Sequence, residues 1–296
     1  MNNYIVTNEE LTSIASAIRK KGSINTNLIF PDGFISAITN LSGYSYEDSI
    51  ITGTLGSTYT NSRVSCIGSC TFHGCTSLTT VSISNCTLIG SGAFYGCASL
   101  KTANFPSCTS IRSTAFNFCT NLTSISFPAC TTIGQSAFAG CTSLTTASFP
   151  NCTFIGSYAF INCYSLTIAS FPACSVIGSS AFQGCSLKTA DFPKCSYVGN
   201  NAFYKCYTLN TISINRCQEI GQSAFRSCYR LKSLYLSSIH SVPALRSSAF
   251  ISTPIGGYSA EAGRYGSVFV PASLYSLFLT ASNWKTIASR IVSVQG

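Results

Sequence analysis

Thiolates are nucleophiles, metal ligands and disulfide partners, so chemistry would be sought first in the seventeen cysteines of this 296-residue chain. Cys66, Cys70, His73 and Cys75 stand close enough in sequence to suggest zinc. A structural zinc takes four tetrahedral ligands, usually as two close pairs, and two of these residues have another explanation. Cys75 opens a column with Cys97, Cys119, Cys141, Cys163, Cys185, Cys206 and Cys228, and His73 fills a slot that later holds Tyr95, Asn117, Ala139, Ile161 and Gln183. No metal is expected. His73 and His240 are the only histidines, five of the eight carboxylates precede Asp191, and no motif sets two of them as acid and base. There is no Gly-x-Ser-x-Gly elbow, and the glycines fall at repeat spacing, not in a phosphate loop. The expectation is neither an enzyme nor a protein with a bound cofactor.

The same spacing positions all of these residues. From Cys75 to Cys228 one phrase recurs with a period of 22 residues, shortened by one near Cys185. Leu78, Leu100, Leu122, Leu144, Leu166, Leu187, Leu209 and Leu231 form one column, and Phe94, Phe116, Phe138, Phe160, Phe182, Phe203 and Phe225 another. A second cysteine column runs through Cys86, Cys108, Cys130, Cys152, Cys174, Cys195 and Cys217. Such a period marks a solenoid, in which stacked neighbours create the core that no single repeat can bury. Stacking sets like residues about 4.8 Å apart with parallel Cβ vectors, beyond the usual disulfide Cβ separation of about 3.5–4.5 Å. The cysteines are therefore expected as unbridged, buried thiols acting as small hydrophobes. A reducing site of folding follows, and the opening Met-Asn-Asn-Tyr lacks the basic start and apolar run of an export signal.

Within a repeat, Leu122, Ile125 and Phe127, or Leu144, Ala147 and Phe149, alternate with Ser and Thr as in a short strand with one buried side. Pro128, Pro150, Pro172 and Pro193 stop that strand, because proline has no donor for a ladder. An apolar residue and glycine follow, as in Ile133-Gly134, with the glycine read as the residue that turns the backbone. An Ala-Phe pair closes the repeat. The expected product is a right-handed coil with a parallel sheet on one side, stacked into a rod on the order of 40 Å long. The pattern, roughly Leu-x-x-Ile-x-Leu-Pro and then Ile-Gly-x-x-Ala-Phe-x-x-Cys, resembles the BspA-like branch of the leucine-rich repeats from near Val64 to about Phe250. The resemblance implies an α/β repeat solenoid with a parallel sheet, a scaffold that offers a surface and not a reaction.

Four regions are read: 1–42, a small helical attachment or capping module; 43–65, a transition with strands that cap the first repeat; 66–255, the solenoid; and 256–296, an α+β C-terminal cap. Thr7 and Glu10 make a capping box ahead of Leu11, Ile14 and Ile18, and a second short helix begins near Pro31. Leu11 to Gly22 and Ile29 to Ile38 resemble a short module at the start of tail-associated structural proteins of phages and prophages of gut Gram-positive bacteria. That resemblance implies a virion tail protein, made in the bacterial cytoplasm and joined to other tail proteins through its N-terminal helices. At the other end, Ser267 to Pro271 reads as a final strand, and Ala272 onward as helix broken near Asn283.

Only 8% of residues are charged, with a formal balance of +9. Between Ser186 and Arg246, Lys188, Lys194, Lys205, Arg216, Arg226, Arg230, Lys232 and Arg246 stand against Asp191 and Glu219. This basic end favours anionic partners, although no basic groove interleaved with aromatics points to nucleic acid. No segment approaches a membrane span. Candidate recognition residues are the tyrosines near the loop after each Phe, Tyr95, Tyr158, Tyr204 and Tyr229, with Tyr164 and Tyr207 nearby, and Tyr235, Lys188 and Lys232 on the predicted sheet face. The reading is a phage tail, baseplate or fibre protein whose repeats recognise a host glycan or surface protein. A bacterial cell-surface adhesin and a non-catalytic accessory protein of a wall hydrolase are the alternatives, and a lone rod and a homo-oligomer are both compatible.

Overall fold

The computed structural model describes residues 57–257 and 265–295. The expected N-terminal helices, and the transition before Ser57, lie outside the described residues.

Each 22-residue phrase forms one coil carrying two strands. The first is the expected one: in Thr80–Ser82, Val81 points inward and its neighbours lie half-buried on the outer side. The second is two residues long, as in Leu88–Ile89, and buries the residue that precedes the glycine. Both are parallel to their counterparts one repeat on, so Thr80 faces Thr102 and Ile89 faces Ile111. The three-residue strands make a four-stranded sheet from Thr58–Thr60 to Ser124–Ser126 and, with two longer strands at the C-terminal end, a seven-stranded one from Thr146–Ser148 to Ile291–Val294. The two-residue strands make one nine-stranded sheet from Cys66–Ile67 to Ala244–Leu245. The expectation of a sheet on one side is thus corrected to parallel sheets on two faces. Two residues cannot display an alternation, so only the repeat register reveals the second face. The fold is a parallel β-solenoid of stacked repeats.

A third row of hydrogen bonds ties the turns together. The amide of Phe94 donates to the Ala115 carbonyl at 2.7 Å, and that of Gly96 to Asn117 at 2.8 Å, one coil further on. Two positions in each turn are left-handed. The one before Ala-Phe is held by Thr114, Ser136, Tyr158, Ser180, Asn201 and Ser223, and the one before cysteine by Phe118, Asn162, Lys205 and Ser227 or by glycine. A side chain there costs on the order of 1 kcal/mol, and the bonds between coils hold it in place. The glycines of the Ile-Gly pairs do something other than turn the chain. Gly178 is not left-handed; a Cβ on it would lie 2.5 Å from the Ser157 amide nitrogen. These glycines let one coil lie directly against the previous one.

Phenylalanine fills the coil as two columns. Phe72, Phe94, Phe116 and Phe138 stack with centroids 4.8, 4.9 and 5.2 Å apart, and the series runs on to Phe250. Phe105, Phe127, Phe149, Phe171 and Phe192 form the other, set edgewise to the first. Each ring is fully buried, contributing about 1.5–3 kcal/mol over exposure.

The ladder on the first face is interrupted at two places, of which only the second coincides with a change in the repeat. No pairing joins Ser124–Ser126 to Thr146–Ser148, and at the one-residue deletion near Cys185 the register narrows to the single pair Ser170 with Asp191.

Beyond the last repeat, Ser267–Pro271 adds a strand, followed by a helix over Tyr275–Thr280 and 3-10 turns over Ala272–Leu274 and Trp284–Arg290. It is not the final strand: Ile291–Val294 returns to pair with it in parallel. Trp284 is buried against Phe250 and Phe278. Its Nε1–H donates to the Pro243 carbonyl at 2.7 Å, while Asn283 Nδ2 donates to Leu245 at 2.6 Å. In an inner coil the equivalent carbonyls, Thr131 and Ile133, accept amides of the next coil, Thr153 and Gly156, at 2.9 and 2.8 Å. Two side chains therefore stand in for a missing coil.

Candidate functional site

The cysteines are structural. No disulfide joins any of the seventeen, and all but Cys66 and Cys70 are buried. In the column after the turn, Cys119 Sγ donates to the Phe94 carbonyl at 3.1 Å, an oxygen that also accepts the Cys97 amide at 3.2 Å. In the other column Cys130 Sγ donates to Thr132 two residues on, at 3.3 Å. A carbonyl has two lone pairs, and a thiol fills the second while remaining small and apolar. Burial pushes the thiols up: Cys86 to about 11, and Cys108, Cys152 and Cys206 to about 12. Neutral buried thiols are poor nucleophiles. We expect a thiol reagent to find two fast equivalents in the native protein, Cys66 and Cys70, and seventeen after denaturation without reductant. More than four fast equivalents, or a denatured total far below seventeen, would contradict this packing.

The Cys66, Cys70, His73 and Cys75 cluster is not assembled. Among the described residues no group of three or more His, Cys, Asp or Glu is placed to share a metal. Cys75 is buried, Cys66 and Cys70 are exposed, and the His73 ring lies on Tyr95 at 4.9 Å.

The hydroxyl-rich surface is also largely committed to the fold. Thr109, Thr131, Thr153 and Ser175 each donate a side-chain hydroxyl to the main-chain carbonyl one coil earlier, at 3.0 to 3.3 Å.

What varies from coil to coil is the turn between the buried Phe and the next three-residue strand. The structure scatters the candidate residues around it. Tyr95 is half-buried between His73 and the edge of Phe118. Tyr158 lies elsewhere, before Phe160 at a left-handed position on the far side of the ring. Tyr235 is half-buried and packs face to face on Phe269 at 4.7 Å, so it is no open platform. Lys188 is exposed and Lys232 half-buried, each at the start of its strand. Tyr204 carries Lys205 over its ring at 5.1 Å.

Tyr229 is where a cluster forms, with Tyr207 of the previous coil. Tyr207 stacks on it at 5.3 Å and 14°, and both are exposed. With Thr208 and Arg230 they line a shallow cleft of about 310 Å³. Tyr207 and Tyr229 both follow a repeat cysteine, one coil apart, a spacing that announces the pair. A larger cleft of about 550 Å³, between Val242–Ser247 and Ala281–Trp284, lies where the cap meets the last coil.

Fold and site define a class: a leucine-rich repeat solenoid that displays side chains on a repeated backbone. The family model for the BspA type leucine rich repeat region, in six copies, matches residues 52–167 and 153–260. The chain belongs to this family. Among solved structures, it is similar to a leucine rich cell surface protein of Faecalibacterium prausnitzii, at 23% identity over 78% of this chain and 83% of that one, with a TM-score of 0.49. It is also similar to a leucine rich repeat protein of T. pallidum, at 28% identity over 62% and 81% with a TM-score of 0.49. The pneumococcal vaccine antigen PcpA aligns at 14% identity over 81% and 78%, with a TM-score of 0.37. Among curated proteins nothing matches. No helix among the described residues is long and apolar enough to cross a membrane.

Proposed function

We propose that this chain is a non-catalytic recognition protein, binding an external surface through the turn edge of its solenoid. One observation carries the reading. Inward positions keep the same chemistry from coil to coil, whereas the turn residue after each Phe runs His73, Tyr95, Asn117, Ala139, Ile161, Gln183, Tyr204, Arg226 on a backbone bonded to both neighbours. Side chains can change there without moving the frame, as in surfaces selected for binding. The test is retention of the labelled full chain by cells of gut Gram-positive bacteria. Saturable retention, displaced by unlabelled protein, is expected; retention that never saturates would overturn the reading.

The proposal extends to where the rod is mounted. The likeness of Leu11 to Gly22 and Ile29 to Ile38 to a phage tail module supports a virion tail protein, attached by its N-terminal segment and facing the host with its repeats. Gold-labelled antibody should mark tail tips or fibres of particles from the source culture. Label confined to cell envelopes would instead favour a bacterial surface adhesin.

A further inference from the structure

We propose that the turn edge of the coils between Lys188 and Lys232 holds an acidic polysaccharide, a chain of sugar rings bearing carboxylate or sulfate groups. This rests on the recognition reading and names the ligand class of that same edge.

Two consecutive turns, 204–208 and 226–230, bring together Tyr204, Lys205, Tyr207, Arg226, Tyr229 and Arg230. They are direct neighbours, since the Lys205 amide donates to the Arg226 carbonyl at 3.0 Å. Lys232 leads into the strand that leaves the second turn, and Lys188 into the matching strand one coil before the first turn, the two linked through Asn210 by two main-chain bonds of 2.8 Å. The cations therefore cluster over neighbouring coils about 4.8 Å apart, at different positions of the turn: Lys205 before its cysteine, Arg226 after its Phe and Arg230 two residues past its cysteine. No carboxylate falls in either turn. Asp191 sits on the first face, and Glu219, on the second, is engaged by Arg246 at 2.8 Å. The turns are neutral in earlier coils, where the matching residues are Asn117 to Thr120, Ala139 to Thr142 and Ile161 to Tyr164, and there only Lys101 repeats the slot of Lys188 and Lys232.

An anionic polymer is thus favoured by charge at one place on the edge, and the tyrosines say which kind. Sites for sugars combine an apolar ring surface with convergent polar groups, here Tyr207 and Tyr229 beside Thr208 and Arg230 in one cleft. Single-stranded nucleic acid is held by bases stacking on successive aromatic platforms. Tyr207 and Tyr229 are already closed on one another at 5.3 Å, so no base enters between them. Both rings are exposed, Tyr207 at 47% and Tyr229 at 37%, which gives a sugar ring apolar area with guanidinium groups beside it for the carboxylate or sulfate.

The test uses the full chain with polygalacturonate and chondroitin sulfate as probes, and dextran and oligo(dT) as comparisons, by affinity electrophoresis and calorimetry at low and moderate salt. Binding to one or both acidic polysaccharides, and none to dextran, is expected, with polygalacturonate and chondroitin sulfate separating carboxylate from sulfate. Arg226→Ala with Arg230→Ala should weaken binding about tenfold or more, as expected for charged and aromatic anchors. Tyr229→Ala should do so about fivefold, by the same reasoning. Lys194→Ala with Arg216→Ala removes equal charge from the corner between the two strands of a coil and should change binding less than about twofold at moderate salt, where exposed charges are screened within about 10 Å. Should the arginine double variant unfold, Lys188→Ala with Lys205→Ala replaces it. Equal losses from both corners, oligo(dT) held more tightly than either polysaccharide, or no acidic polysaccharide held at all would each overturn the proposal. If Arg226→Ala with Arg230→Ala leaves cell retention and polymer binding intact, this site fails and the recognition reading stands; polymer binding without cell retention does the reverse.

Discussion

Raising the pH from 8.5 to about 11 should unfold this solenoid in one steep transition, because its core is built of thiols that cannot ionise in place. Burial, chiefly, raises Cys163 and Cys217 to about 12 from an ordinary value of 9.0, and neighbouring thiols add to burial in raising Cys108. Cys119, Cys141, Cys185 and Cys228 are likewise pushed well above the ordinary value by the same causes. The sign follows from linkage: a folded pKa above the unfolded one favours the protonated fold. Stability is therefore full below pH 9 and falls as the pH rises past it. Each such thiol removes about 1.4 kcal/mol per pH unit once the unfolded chain ionises. A domain holds about 5–15 kcal/mol in all, so six or seven thiols acting together exhaust it within about one to two units. Circular dichroism should be flat from pH 6 to 8.5 and lost by about pH 11, with recovery on return under reductant. The specific readout is proton release on unfolding in denaturant: about ten equivalents at pH 10 and fewer than one at pH 7. Release of fewer than three at pH 10 would remove the thiols from the explanation.

Replacing Trp284 by alanine should destabilise the C-terminal half by about 3–5 kcal/mol, the range for deleting a buried aromatic. The ring contacts both Phe250 and Phe278, and its loss strands the Pro243 carbonyl that Nε1–H satisfies. For a chain of this size that is a fall of about 6–20 °C in Tm. Trp284→Phe keeps most of the ring and loses the donor, so it should cost about 1–3 kcal/mol. Because stability in a solenoid is summed from neighbouring interfaces, hydrogen exchange should accelerate first between Ile220 and Leu245 and hardly at all near Leu100. A melting point within about 2 °C of the parent, or uniform acceleration along the rod, would refute this account.

Chemistry that repeats is legible in sequence; geometry carried by register is not. Leu122, Phe138 and Cys141 announce burial by recurring every 22 residues, and all are buried. The second face escaped because Leu88–Ile89 and its relatives are too short to alternate. The turns were misassigned for a different reason: left-handed backbone usually advertises itself through glycine, but here Thr114, Tyr158 and Lys205 occupy such positions. The Ile-Gly glycines were visible, yet their purpose, room for the neighbouring coil, depends on a residue 21 or 22 positions earlier. At the candidate site, Tyr229 and the basic run were readable, while the pairing with Tyr207 needed the coil to be closed before the two rings could be seen to meet.

Asn283 and Trp284 also decide what the rod cannot become. A parallel strand with open carbonyls is a template for any further strand, and coils that share one register offer that template at every level. With donors from Asn283 and Trp284 on Leu245 and Pro243, the growing end is terminated by covalently attached side chains. Head-to-tail addition along the second face is thus opposed at this end by two residues.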